Sequence, residues 1–167
     1  MERVAEALTE QAVSSPDEMD ANMFGRSAFN RYYYSVYLSA RQMVIAGHPE
    51  IKQFKHKDLP DLLVGKIQEK IQLEAGKLKK RHMLSDGQAS KLAQSSRQAL
   101  SELANILREG YHIRVIADYD PTVIAVVRNG HVILEDKTSD AARQWGRRAE
   151  RCIGQVRRVW RQLGIST

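Results

Sequence analysis

The chain has 167 residues, 43% apolar and 28% charged, with a formal net charge of +6. That length suffices for a buried core and is expected to form one domain over 1–167, and the composition argues against a disordered or fibrous chain. No apolar run approaches the roughly 20 residues of a membrane-spanning helix. The charged start Met1-Glu-Arg-Val-Ala-Glu6 lacks a secretory stretch, and the single cysteine, Cys152, excludes an intrachain disulfide, so a cytoplasmic setting with no membrane partner is expected.

Residues 2–13 are expected to form a short helix. Ser15-Pro-Asp-Glu18 then has the order of a capping box, with Ser15 as N-cap and Pro16 in the first turn. The helix it opens is expected to reach Ala46 and to end at Gly47, before Pro49. Within it Phe29, Tyr32, Tyr33, Val36, Tyr37, Ala40, Met43 and Val44 share one face at helical spacing. Ser27, Arg31, Ser35, Ser39 and Gln42 share the other. The tyrosines suit core and groove lining, with base stacking as the alternative.

A second helix is expected over Leu59–Lys79, with Leu63, Ile67 and Ile71 on one line. The basic segment 77–82 follows as a hinge. Ser85-Asp-Gly-Gln88 is another capping box and opens a long helix that runs past Arg114 and stops before Pro121, with Gly110 expected to interrupt it. Late in that helix Arg108, His112, Arg114 and Asp118 fall within three turns. Two readings stand. One is an Arg114–Asp118 ion pair at i, i+4 spacing. The other is a catalytic or phosphate-binding cluster able to move protons.

The apolar period then shortens. Thr122–Val127 and Val132–Leu134 flank Asn129-Gly130, the dipeptide of a tight hairpin turn. An isolated hairpin is marginal in water, so it is expected to dock on the helices or on a second subunit. Ser139 is expected to cap a last helix ending near Leu163.

Between Ser139 and Thr167 lie 7 arginines, 2 acidic residues and no lysine. At helical spacing Arg143, Arg147, Arg151, Arg157, Arg158 and Arg161 fall within an arc of about 120°. Trp145, Ala149, Cys152, Ile153, Val156, Trp160 and Leu163 fill the opposite arc. Three readings stand for the basic arc. It is a solvated face with some arginines paired to acids, a contact surface for the phosphates of RNA or another polyanion, or a docking face for an acidic protein. The histidines lack metal-ligand spacing and no cysteine pair accompanies them, so no metal is expected. No glycine-rich phosphate loop or nucleophile elbow is present.

The segment Arg26-Ser-Ala-Phe-Asn-Arg-Tyr-Tyr-Tyr-Ser-Val-Tyr37 resembles the "Arg-Ala-Tyr-Tyr-Ala-hydrophobic" helix of the HEPN family, with Arg31, Tyr33 and Tyr34 at motif positions. Phe54-Lys-His-Lys57 with Leu59 and Leu62 is similar to a Lys/His segment of one branch. Arg114-Val-Ile-Ala-Asp-Tyr119 resembles that branch's "Arg-x-x-Ala-Asp-Tyr" motif. The resemblance spans about residues 20–163, with 122–135 as an insertion.

It implies an all-α, up-and-down helical bundle carrying a small β-hairpin insertion, usually as a homodimer. It also implies a prokaryotic toxin–antitoxin or antiphage defence setting. Family members are metal-independent ribonucleases, or non-catalytic partners of a nucleotidyltransferase. Catalytic members carry Arg, then His after four to six residues; here Arg108 and His112 have three between them. If the chain cleaves RNA, the arginines would stabilise phosphoryl charge, His112 would act as acid or base, and no cofactor would be required.

Overall fold

The structure, a computed structural model, describes residues 1–51 and 53–165. The helices are α1 (Glu2–Ser14), α2 (Glu18–Gly47), α3 (Leu59–Leu62), α4 (Gln68–Lys80), α5 (Asp86–Tyr119) and α6 (Ser139–Leu163). The strands β1 (Val126–Arg128), β2 (His131–Leu134) and β3 (Lys137–Thr138) form one antiparallel sheet in the order β1-β2-β3. The fold is thus an all-α bundle with a small β insertion. The chain divides into two compact units, residues 1–38 with 107–148 and residues 39–106 with 149–167.

In the first unit the cap of α2 differs from expectation. Asp17, not Ser15, accepts from the first-turn amides, with Oδ1 at 2.8 Å from Met19 N and 2.9 Å from Asp20 N. Its carboxylate also carries the negative charge that a helix N-terminus favours. Ser15 instead donates to the Asp17 carbonyl. The inward face of α2 is as its spacing predicts, with Phe29, Tyr32, Tyr33, Val36 and Tyr37 buried.

The hairpin turn adopts positive φ at both Asn129 (51°) and Gly130 (77°), as a type I′ turn requires. Pairing begins only at Val126, opposite Ile133, and not at Thr122. A further strand, β3, pairs with β2 through a turn at Glu135, where φ is 56°. The sheet docks on helix α2. Val132 and Leu134 are fully buried, and Asn22 Oδ1 accepts from Ala125 N at 2.8 Å. A Cβ at Gly25 would lie 2.6 Å from Val132 Cγ1, so only glycine admits the strand at that spot. The N-cap of α6 is Thr138, whose Oγ1 accepts from Ala141 N. Ser139, expected in that role, is turned to the sheet and accepts from Val132 N.

Gly110 does not interrupt α5. A Cβ there would meet Tyr33 Cδ2 at 3.1 Å and the Trp145 ring at 3.5 Å. The missing side chain lets the two aromatic residues pack against the helix backbone. Each is about 1% exposed, and burying an aromatic of this size stabilises by roughly 1.5–3 kcal/mol. That exceeds the helix penalty of about 1 kcal/mol for glycine.

In the second unit, α3 begins with Pro60 in its first turn, where no amide partner is lost. A π-helical turn, Leu63–Ile67, joins it to α4, so the helix expected over 59–79 carries one widened turn. Leu63, Ile67 and Ile71 are fully buried. The capping box at α5 forms as expected and is reciprocal: Ser85 N donates to Gln88 Oε1 at 2.8 Å, and Gln88 N donates to Ser85 Oγ at 3.2 Å. Gly47 lies against Trp160, and a Cβ there would fall 2.1 Å from the indole.

Candidate functional site

The end of α5 is held by Arg26, one of the residues of the Tyr/Arg-rich segment. Its Nε donates to the Ala117 carbonyl at 2.9 Å, Nη2 to Ile116 at 2.9 Å, and Nη1 to Asp120 at 2.8 Å and also to Val123. The last carbonyls of a helix have no intrahelical partner and carry its negative dipole end. A guanidinium, with five donors in one plane, satisfies several of them at once. Arg26 is therefore spent on the fold, and its donors face backbone rather than a ligand.

One turn along α2, Asn30 Nδ2 donates to Asp118 Oδ1 at 2.6 Å. The other carboxylate oxygen of Asp118 lies 2.8 Å from Arg114 Nη2, the i, i+4 pair read from the sequence. Arg114 also lies 5.1 Å from the centroid of the Tyr119 ring, a cation–π contact, and its Nη2 donates to the Tyr119 hydroxyl at 3.4 Å. Beside these groups is an open cleft of about 450 Å³ lined by Asn30, Arg31, Asp118 and Pro121. Arg31 is exposed and borders this cleft together with Asp118.

Tyr33, Tyr34, Tyr37 and Tyr111 form a ring cluster with centroid separations of 5.6 to 6.4 Å. Burial pushes the Tyr33 phenol well above its ordinary pKa, so it stays protonated. These rings are packed on one another, which leaves Tyr33 no face for a base.

His112 and Arg108 are separated from Arg114. Two residues are about 200° of helix rotation, so His112 and Arg114 leave α5 on nearly opposite sides. His112 is exposed, and its Nε2 lies 3.3 Å from Glu135 Oε2 in the β2–β3 turn. Arg108, also exposed, shares the His112 side. The four residues of the expected cluster therefore form two sets. Arg114 and Asp118 belong with Asn30 and Tyr119, and His112 belongs with Glu135.

The apolar arc of α6 is buried throughout, from Trp145 to Leu163. Its arginines differ in their pairing. In the first unit, Arg143 Nη2 pairs with Glu6 Oε1 at 2.6 Å, and Arg147 is exposed. In the second unit, Arg151, Arg158 and Arg161 are exposed and Arg157 is half-buried. None of these four has an ion-pair or hydrogen-bond partner among the described residues. The charge of the whole sequence follows the same division. The second unit holds 16 of the 26 Lys and Arg and 8 of the 20 Asp and Glu, a net +8, whereas the first holds 10 and 12, a net −2.

Sequence reasoning missed a buried polar group in the second unit. His48 has no exposed surface, and its Nδ1 lies 3.2 Å from Glu50 Oε1, which Lys70 Nζ also reaches at 3.2 Å. The His48 ring meets Trp160 edge to face at 5.4 Å. Burial lowers the His48 pKa against the opposing pull of Glu50. A backbone amide and Lys70 lower the Glu50 carboxyl to about 2. The one signal for this group was a histidine just past a helix-ending glycine. Among the described residues no three His, Cys, Asp or Glu side chains converge as metal ligands, and no helix is long and apolar enough to cross a membrane. Cys152 is buried on the apolar arc of α6. Against known proteins, the chain matches no family model, no curated protein and no solved structure.

Proposed function

We propose that this chain is a HEPN-like component of a prokaryotic toxin–antitoxin or antiphage defence system that engages RNA, with the second unit as the RNA-facing part. The observation that carries this reading is the set of unpaired α6 arginines in a unit of net charge +8. A solvated face built for solubility mixes signs and pairs its charges. Here the carboxylates are concentrated in the other unit, and guanidinium forks remain available to phosphate oxygens.

Such contacts position a backbone and do not read sequence. With about four phosphates neutralised on a single strand, affinity for generic RNA should fall roughly 50-fold between about 50 and 200 mM salt. Arg151→Glu with Arg161→Glu should abolish binding, and Arg143→Glu, at a residue already paired, should change it little. Binding that is absent at moderate salt, or indifferent to salt, would overturn the reading.

A second reading has its own observation. The placement of His112 and Arg114 on opposite sides of α5 favours a non-catalytic subunit, partnered by a nucleotidyltransferase or another defence protein. RNA incubated with chelator should then stay intact with the wild type. Cleavage lost in both His112→Ala and Arg114→Ala would instead assign a nuclease.

A further inference from the structure

The second unit contains a cleft of about 470 Å³ lined by residues of the first turns of α5 and the last turns of α6. Its size falls in the range of small-ligand sites, about 300–1,000 Å³. Burial orders its lining. Val159 is buried, Leu92 and Ser95 are half-buried, and Lys91, Arg158 and Gln162 are exposed. No carboxylate lines it. Gln155 is fixed in place, its Nε2 donating to Ser95 Oγ at 2.7 Å and to the Ser95 carbonyl at 3.2 Å. Neither Lys91 nor Arg158 has a charge partner among the described residues.

We propose that this cleft takes the base and phosphate of one unpaired nucleotide, so that the protein prefers single-stranded to duplex RNA. The inference rests on the RNA reading above and deepens it. A bare phosphate would use the two cations but gain nothing from the Leu92 and Val159 wall. A nucleotide has an apolar face, a polar edge and an adjacent anion, and the cleft offers a surface for each. The Gln162 amide both donates and accepts, and Gln155, whose two N–H donors are held by Ser95, still offers Oε1 as an acceptor, so the pair suits the edges of different bases without strong selection among them. A duplex keeps its bases stacked inside and offers only backbone. It would reach the α6 arginines but leave the cleft unfilled.

The test compares a labelled single strand with a duplex of equal length, alongside AMP titrated against methyl signals of Leu92 and Val159. The wild type should bind the single strand about tenfold more tightly, the scale expected when roughly 50 Å² of one base face is buried on the apolar Leu92 and Val159 wall. AMP should shift both methyl signals. The double variant Lys91→Gln, Gln162→Leu keeps every α6 arginine and changes only exposed positions. It should lose the single-strand preference and the AMP shifts while holding duplex affinity. Equal affinity of the wild type for both RNAs, with unmoved methyl signals, overturns the cleft and leaves the RNA reading standing. Binding of neither RNA overturns that reading, and AMP then decides the cleft alone. A glutamate-rich peptide that moves the methyl signals where AMP does not would overturn the nucleotide assignment in favour of an acidic protein.

Discussion

Replacing Arg26 is expected to loosen the end of α5 and the turn into the sheet together. Its guanidinium serves four carbonyls, at Ile116, Ala117, Asp120 and Val123. They are not equivalent. Ile116 already accepts from Asp120 N at 3.1 Å, and water can reach the half-buried Asp120 and Val123. Ala117 is 7% exposed, and its carbonyl would lose a charged donor with little access to solvent, which costs about 1–3 kcal/mol. The remaining contacts and the dipole interaction add to this, and a total near 3 kcal/mol is expected for Arg26→Met. For a chain of this length that corresponds to a fall in Tm of roughly 6–12 °C.

Arg26→Lys keeps the charge but not the planar fork, and is expected to recover less than half of the loss. Thermal and urea unfolding give the totals. Hydrogen exchange should place the effect, with faster exchange confined to amides from about 116 to 125. A lysine variant within 0.5 kcal/mol of wild type, or exchange raised evenly along the chain, would refute the capping argument.

The glycines separate by what a methyl would meet. Gly47→Ala should cost more than about 2 kcal/mol, because its Cβ would fall within 2.1–2.6 Å of three Trp160 ring atoms. Gly154→Ala, in the same unit on an open helix surface with nothing within 4 Å, should stabilise by about 0.5–1 kcal/mol. Chemical denaturation of both variants measures the contrast, and near-UV dichroism should report Trp160 only for the first. His48 predicts a pH dependence. Its folded pKa is lowered from 6.5, so the unfolded chain binds the proton first as pH falls. Stability should be complete above about pH 6.5 and decline below it. Glu50, lowered from 4.5 to about 2, adds a separate loss below about pH 4.5. Unfolding free energies from pH 7.5 to 5 should slope for wild type and flatten for His48→Gln; parallel profiles would remove His48 as the cause.

The helices, the inward face of α2, the Ser85–Gln88 box and the Asn129-Gly130 turn were legible because each depends on residues a few positions apart. The sequence reading groups His112 with Arg114, although helical spacing alone puts them on opposite sides of the helix. Chain separation hid the rest. Asp17 was chosen over Ser15, and Thr138 over Ser139, by where the chain turns before each helix. The role of Arg26 needs carbonyls about ninety residues away. Gly110 reads as a helix flaw until Tyr33 and Trp145 are seen to fill its space.

The sequence by itself determined a helix with one apolar and one arginine-rich face, because amphipathic spacing follows from chain order. Only the tertiary structure decided which of those arginines are paired. Carboxylates reach them through space: Glu6, far from Arg143 in the chain, pairs with it, whereas Arg151, Arg157, Arg158 and Arg161 have no such partner among the described residues.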